Sequence, residues 1–106
     1  MPKYLLQVNY TLDGVKGLLA QGGSARKAAA QAAAKSAGGK VESFHFALGS
    51  TDAYVIAELP GNSAAAALGL TVTAGGGATV ITTALLTPEE IDKAADTKVK
   101  YRPPGS

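Results

Sequence analysis

The stretch from Gly39 to Pro60, GKVESFHFALGSTDAYVIAELP, constrains this chain more than any other. Two hydrophobic segments, Lys40 to Leu48 and Ala53 to Leu59, flank Gly49-Ser50-Thr51-Asp52, a four-residue turn that predicts a β-hairpin. In the first segment Val41, Ser43, His45 and Ala47 alternate with Glu42, Phe44, Phe46 and Leu48, and the second set reads as the buried face with Glu42 at the strand entrance. His45 then shares the less apolar face with Ser43. The hairpin holds the only His and both Phe, so a chemical centre is sought here first.

The flanking sequence supplies the remaining elements. Lys3 to Tyr10 alternates Tyr4, Leu6, Val8, Tyr10 against Lys3, Leu5, Gln7, Asn9, as a strand with one apolar and one mixed face does. Thr11 or Asp13 is placed to cap a short apolar segment, Val15 to Ala20, which Gly22-Gly23 interrupts. Ser24 restarts an Ala-rich helix through Ala37, stopped by Gly38-Gly39. Arg26, Lys27, Gln31 and Lys35 are assigned to its polar side, leaving Ala on the side that lies close on a sheet. After Pro60-Gly61, Asn62 or Ser63 is placed to cap a helix through about Thr73 that is hydrophobic nearly all round, so it is expected to be covered on more than one side. Gly75-Gly76-Gly77 ends it, and Ala78 to Leu86 reads as a β-branched strand. Thr87-Pro88-Glu89-Glu90 then starts a last helix with a capping box.

The order strand, helix, strand, strand, helix, strand, helix folds most simply as an α+β ferredoxin-like βαββαβ sandwich: one antiparallel sheet with both helices on one face, an extra C-terminal helix and a tail. The other sheet face is left uncovered, and burial against a second copy about a two-fold axis is the expected solution. The all-round apolar helix also admits a higher assembly. Residues 1–96 are expected to form the single domain. The tail, 97–106, reads either as an arm, with Tyr101 and Arg102 set to pack across a dimer seam, or as a disordered end.

Charge and composition exclude several function classes. Residues 1–40 carry six basic and one acidic side chain, 41–92 six acidic and no basic, and 93–106 four basic and one acidic. This blockiness points to pairing within or between subunits, not to nucleic acid, because no basic cluster is interleaved with aromatics. With no Cys and one His, the donors for a thiolate or multi-histidine metal centre are missing. No stretch approaches the roughly 20 apolar residues that cross a bilayer, and the N-terminus lacks a signal-peptide run. We therefore expect a soluble cytoplasmic protein with no membrane or nucleic-acid partner.

Several residues carry possible chemistry. His45 is the one side chain that titrates ordinarily near neutral pH; it reads as a general base beside Tyr54, Tyr10 or Asp52, or as an inert histidine at a sheet or dimer surface. Asp52 reads first as a turn residue whose carboxylate accepts from backbone N–H groups of its own turn, and second as a catalytic acid. Glu89 and Glu90 belong to the last helix's cap and first turn. Gly75-Gly76-Gly77, and Gly22-Gly23 followed by Ser24, Arg26 and Lys27, invite a phosphate-loop reading, but neither has P-loop or GxGxxG spacing, and no cofactor is expected. The second is a helix start whose basic residues attract an incidental anion.

The opening Tyr4, Leu5, Tyr10, Thr11, Gly14 pattern, the Gly38 to Phe44 stretch, the Gly49 and Asp52 turn and the terminal Leu85 to Glu90, LLTPEE, together resemble the GYD-domain family over nearly the whole chain. The namesake Gly-Tyr-Asp triplet is not intact: Thr51 stands where the tyrosine would be, with Ser50 before it. The resemblance implies a dimeric α/β-barrel type of fold and brings no catalytic residues. Two functions stay open: a self-associating binding or structural module for a small, mostly apolar ligand held between sheet and helices, or a cofactor-independent monooxygenase- or isomerase-like enzyme using His45 with Tyr10 or Tyr54.

Overall fold

A computed structural model describes residues 1–106. Its elements run β1 (Lys3–Tyr10), α1 (Leu12–Gln21), α2 (Gly23–Ser36), β2 (Lys40–Phe46), β3 (Ala53–Glu58), α3 (Asn62–Ala74), β4 (Ala78–Ala84) and α4 (Pro88–Ala95). The four strands form one antiparallel sheet in the order β2-β3-β1-β4, the ferredoxin-like arrangement expected from the element order. The alternation in β1 decides which side is covered. Tyr4 and Leu6 are buried beneath the helices with Val55 and Ala57 of β3, while Lys3, Leu5, Gln7 and Asn9 turn to the opposite, open face.

Helix boundaries follow their caps. The Thr11 hydroxyl accepts from Gly14 N–H at 3.2 Å, so α1 begins at Leu12, earlier than the apolar run alone suggests. Gly22, at φ 88°, separates α1 from α2, and Gly23 is already helical. Thr87 and Glu90 form the reciprocal capping box at the start of α4, with Pro88 in the first turn. The expected cap at α3 is different: neither Asn62 nor Ser63 caps the helix, and Gly61 holds the N-cap position. The Asn62 side-chain oxygen instead accepts from the Tyr4 hydroxyl at 2.7 Å, because that buried phenol needs a partner.

The hairpin departs from simple alternation. Val41 pairs with Ala57 but Ser43 pairs with Ile56, so Glu42 is the extra residue of a β-bulge. The phase shift puts Val41 on the helix-covered face with Phe44 and Phe46, and swings Glu42 out to Lys3, 2.9 Å away. Leu48, assigned to the buried set, is fully exposed beyond the strand end, because β2 stops at Phe46 before the loop. A second ion pair, Lys40 to Glu58 at 3.3 Å, joins β2 to β3.

The two main helices lie on one face but over different edges. α2 covers β2 and α3 covers β4, which leaves the central strands β3 and β1 under the space between them. On α2, Lys27, Gln31 and Lys35 are exposed as expected, whereas Arg26 departs from the polar side and falls in line with Ala30, Ala33 and Ala34, at i, i+4, i+7 and i+8. On α3, Ala65, Leu68 and Val72 face the sheet; Leu70, on the other side, is 72 % exposed.

The C-terminal segment stands away from this body. Every residue of α4 and of the tail is exposed, including Ile91, Val99 and Tyr101. The Cα radius of gyration, 17.0 Å, exceeds the roughly 13 Å of a compact chain of this length, and the long axis reaches 57 Å.

Candidate functional site

An apolar cleft lies between α2 and α3, over the middle of the sheet. It is a cleft of about 90 Å³ whose sixteen lining residues are hydrophobic save one, Arg26. Leu6 and Val8 of β1 with Val55 and Ala57 of β3 make its floor; Ala30 and Ala33 of α2 make one wall, and Leu68 and Val72 of α3 the other. Its origin is plain chemistry. Methyl side chains on α2 are too short to reach Leu68 and Val72, so two helices seated over opposite edges leave the centre open.

One end of the cleft opens into a wider, polar cavity of about 360 Å³, bordered by Asp13, Gln21, Thr71 and the glycines of the α3–β4 turn. Four residues line both spaces: Tyr10, Arg26, Val72 and Ala78. Arg26 takes part in neither ion pair of the chain, and the Tyr10 hydroxyl forms no hydrogen bond within it. The wall behind them is rigid. Thr11 donates its backbone N–H to Gly77 O at 3.1 Å and its hydroxyl to Gly76 O at 2.7 Å. A Cβ on Gly14 would sit 1.8 Å from that Gly77 oxygen, so only glycine permits α1 to start there. The triple glycine thus turns two carbonyl oxygens to Thr11 and is a helix stop and strap, not a phosphate cradle.

The residues singled out in the hairpin divide between the two faces of the sheet. His45 is directly opposite Tyr54 in the β2–β3 register, and both are exposed on the open face. Tyr10 is on the covered face, its ring 6.4 Å from that of Phe46, so His45 and Tyr10 do not meet within one subunit. The Asp52 carboxylate does not bond its own turn, although its backbone carbonyl accepts from Ala47 N–H at 2.8 Å across the loop. The carboxylate accepts from Tyr10 N–H at 2.9 Å, and the Asp52 N–H donates to Val8 O and to Asn9 Oδ1, both at 3.0 Å, which ties the hairpin loop to the end of β1. His45 lines none of the four principal cavities.

Thr51 is the buried polar residue of the chain, at 7 % exposure, and its hydroxyl donates to Gln7 Oε1 at 3.3 Å. The family-model comparison matches the GYD domain over residues 4–95. The chain belongs to the GYD domain family. In this GYD protein Thr51 is enclosed against β1. Searches of curated proteins and of solved structures returned no match. Among the side chains of this GYD domain no group of three or more His, Asp or Glu is gathered to hold a metal ion, and no helix is long and apolar enough to cross a membrane. Lys3 is held above its ordinary pKa, first by its hydrogen bond to Glu42 and then by that carboxylate's charge, so on the alkaline side the contact is kept until pH rises through the lysine range.

The sequence places an apolar ligand between sheet and helices, where this cleft lies; the lining itself is not legible there, because the run of Ala on α2 indicates close approach to a sheet and not a gap between helices.

Proposed function

We propose that this GYD protein is a self-associating module that binds a small, mostly apolar ligand between its sheet and helices. The observation that carries the reading is the α2–α3 cleft, floored by the central strands and lined almost wholly by hydrophobic side chains. Self-association is supported by the opposite sheet face, where Ile81 is 60 % and Tyr54 40 % exposed beside Leu5 and Ile56. A second copy laid on that face buries these side chains and leaves both clefts open on the outside.

Two measurements test the reading. Native mass spectrometry of the full chain is expected to give a dimer or larger, and Ile81→Glu to give monomer; a bare wild-type monomer at micromolar concentration overturns the self-association. A small neutral apolar probe such as benzene is expected to bind with saturation by ligand-observed NMR, and Ala33→Leu, which fills the cleft, to abolish binding while the circular dichroism is unchanged. Equal binding by the two proteins removes the cleft from the proposal.

A proton-transfer enzyme is the second reading, favoured by the His45–Tyr54 pair alone. It needs a pocket around His45 that a partner's sheet would have to complete. Loss of a reproducible turnover in His45→Ala with the assembly intact would move this reading ahead of the first.

A further inference from the structure

We infer that the cleft between α2 and α3 is a site for an amphiphilic carboxylate, its aliphatic chain lying along the alanines of α2 and its head group held by Arg26 and the Tyr10 hydroxyl. The inference rests on the binding reading above and adds the ligand's polar end. Three observations carry it. Arg26 is the single charged residue lining an otherwise apolar cleft, at the point where that cleft meets the polar cavity. It is half-buried and takes part in neither of the chain's ion pairs, although burial of a guanidinium stem beside alanines favours an anion at its tip. Tyr10, whose hydroxyl is free of any bond within the chain, lines the same junction and supplies a second donor type there.

The geometry also selects among anions. One guanidinium and one phenol match the two oxygens of a carboxylate, whose single charge Arg26 balances. A phosphate monoester brings close to two charges into a mouth that Asp13 also borders, and its second charge meets repulsion without a further cation on the lining. An alkyl ammonium faces Arg26 directly and is excluded. The apolar floor of Leu6, Val8 and Val55 provides no partner for a polar group deeper in, so the tail is a hydrocarbon.

Isothermal titration of the full-length protein at neutral pH with hexanoate, 1-hexanol, hexyl phosphate and hexylamine tests the inference, the six-carbon chain matching the cleft's volume of about 90 Å³. Hexanoate is expected to bind at least tenfold more tightly than 1-hexanol and than hexyl phosphate, and hexylamine not to bind. Arg26→Gln is expected to weaken hexanoate about tenfold, the loss of one charge-assisted contact, and to leave 1-hexanol unchanged. Tyr10→Phe is expected to give a smaller loss for hexanoate alone. If 1-hexanol binds as well as hexanoate, and Arg26→Gln alters neither, the carboxylate site is wrong while the apolar cleft stands. Tighter binding of hexyl phosphate overturns the choice of head group. If no hexyl compound binds and Ala33→Leu has no effect on benzene, the binding reading fails with it.

Discussion

The Asp52 carboxylate accepts a hydrogen bond from the backbone N–H of Tyr10 at 2.9 Å, across 42 positions of sequence. Tyr10 is the last residue of β1 and Asp52 the last of the hairpin loop, so one charged acceptor closes the corner where two strands and α1 meet. Asp52→Asn keeps an acceptor oxygen but loses the charge, and Asp52→Ala loses both. We expect losses of about 1 and 2 kcal/mol in urea unfolding, respectively, in the range of a charge-assisted hydrogen bond at a partly exposed site. Equal stability of wild type and Asp52→Ala would remove this structural role.

The buried phenol of Tyr4 is bound to Asn62 alone, at 2.7 Å. Tyr4→Phe deletes the donor and its need together, and we expect a cost of about 1 kcal/mol; Asn62→Ala leaves the hydroxyl stranded and is expected to cost more, about 2 kcal/mol. A double-mutant cycle by chemical denaturation reads the coupling, and a value near zero would show that water replaces Asn62 without loss.

The bulge at Glu42 yields an asymmetric pair of deletions. Without Glu42, β2 becomes a regular strand with Val41, Phe44 and Phe46 still on the covered face, and only the exposed Lys3 contact is lost. The deletion is expected to lower the melting temperature by a few degrees at most. Removing His45 instead puts Phe44 and Phe46 on opposite faces, and no cooperative transition is expected by near-ultraviolet circular dichroism. Similar melting curves for the two deletions would count against the assigned register.

Residues 87–106 are exposed throughout and so bury little against the body. A chain ending at Leu86 is therefore expected to unfold at the same denaturant midpoint as the full chain when both are measured dilute. A lower midpoint would show that the segment leans on the sheet or the helices in solution.

Much of the architecture was legible because it follows local rules. The two-residue period of β1, the Thr87–Glu90 box and the glycines around α2 each act within a few positions, and each stands where the pattern placed it. The departures arise from relations between distant segments. Glu42 is an ordinary polar residue until the pairing of Val41 with Ala57 and Ser43 with Ile56 makes it an insertion. Asp52 carries turn chemistry in its own neighbourhood, yet the N–H at its carboxylate belongs to β1. The cleft depends on how far apart two alanine-bearing helices sit, which periodicity does not encode, and Arg26 has the charge of its neighbour Lys27 but the helix face of Ala30, Ala33 and Ala34.

The position of β1 between β3 and β4 has a consequence for biosynthesis. The first strand to leave the ribosome is interior to the sheet, and one of its two neighbours is the last strand made. Until Ala84 has emerged, β1 has an unpaired edge, α3 lacks the strand it covers, and the Thr11 strap has no glycine turn to hold. The nascent domain therefore stays unfolded or chaperone-held until β4 is made, and a domain stalled before Ala78 should be cleaved by protease as readily as a denatured one.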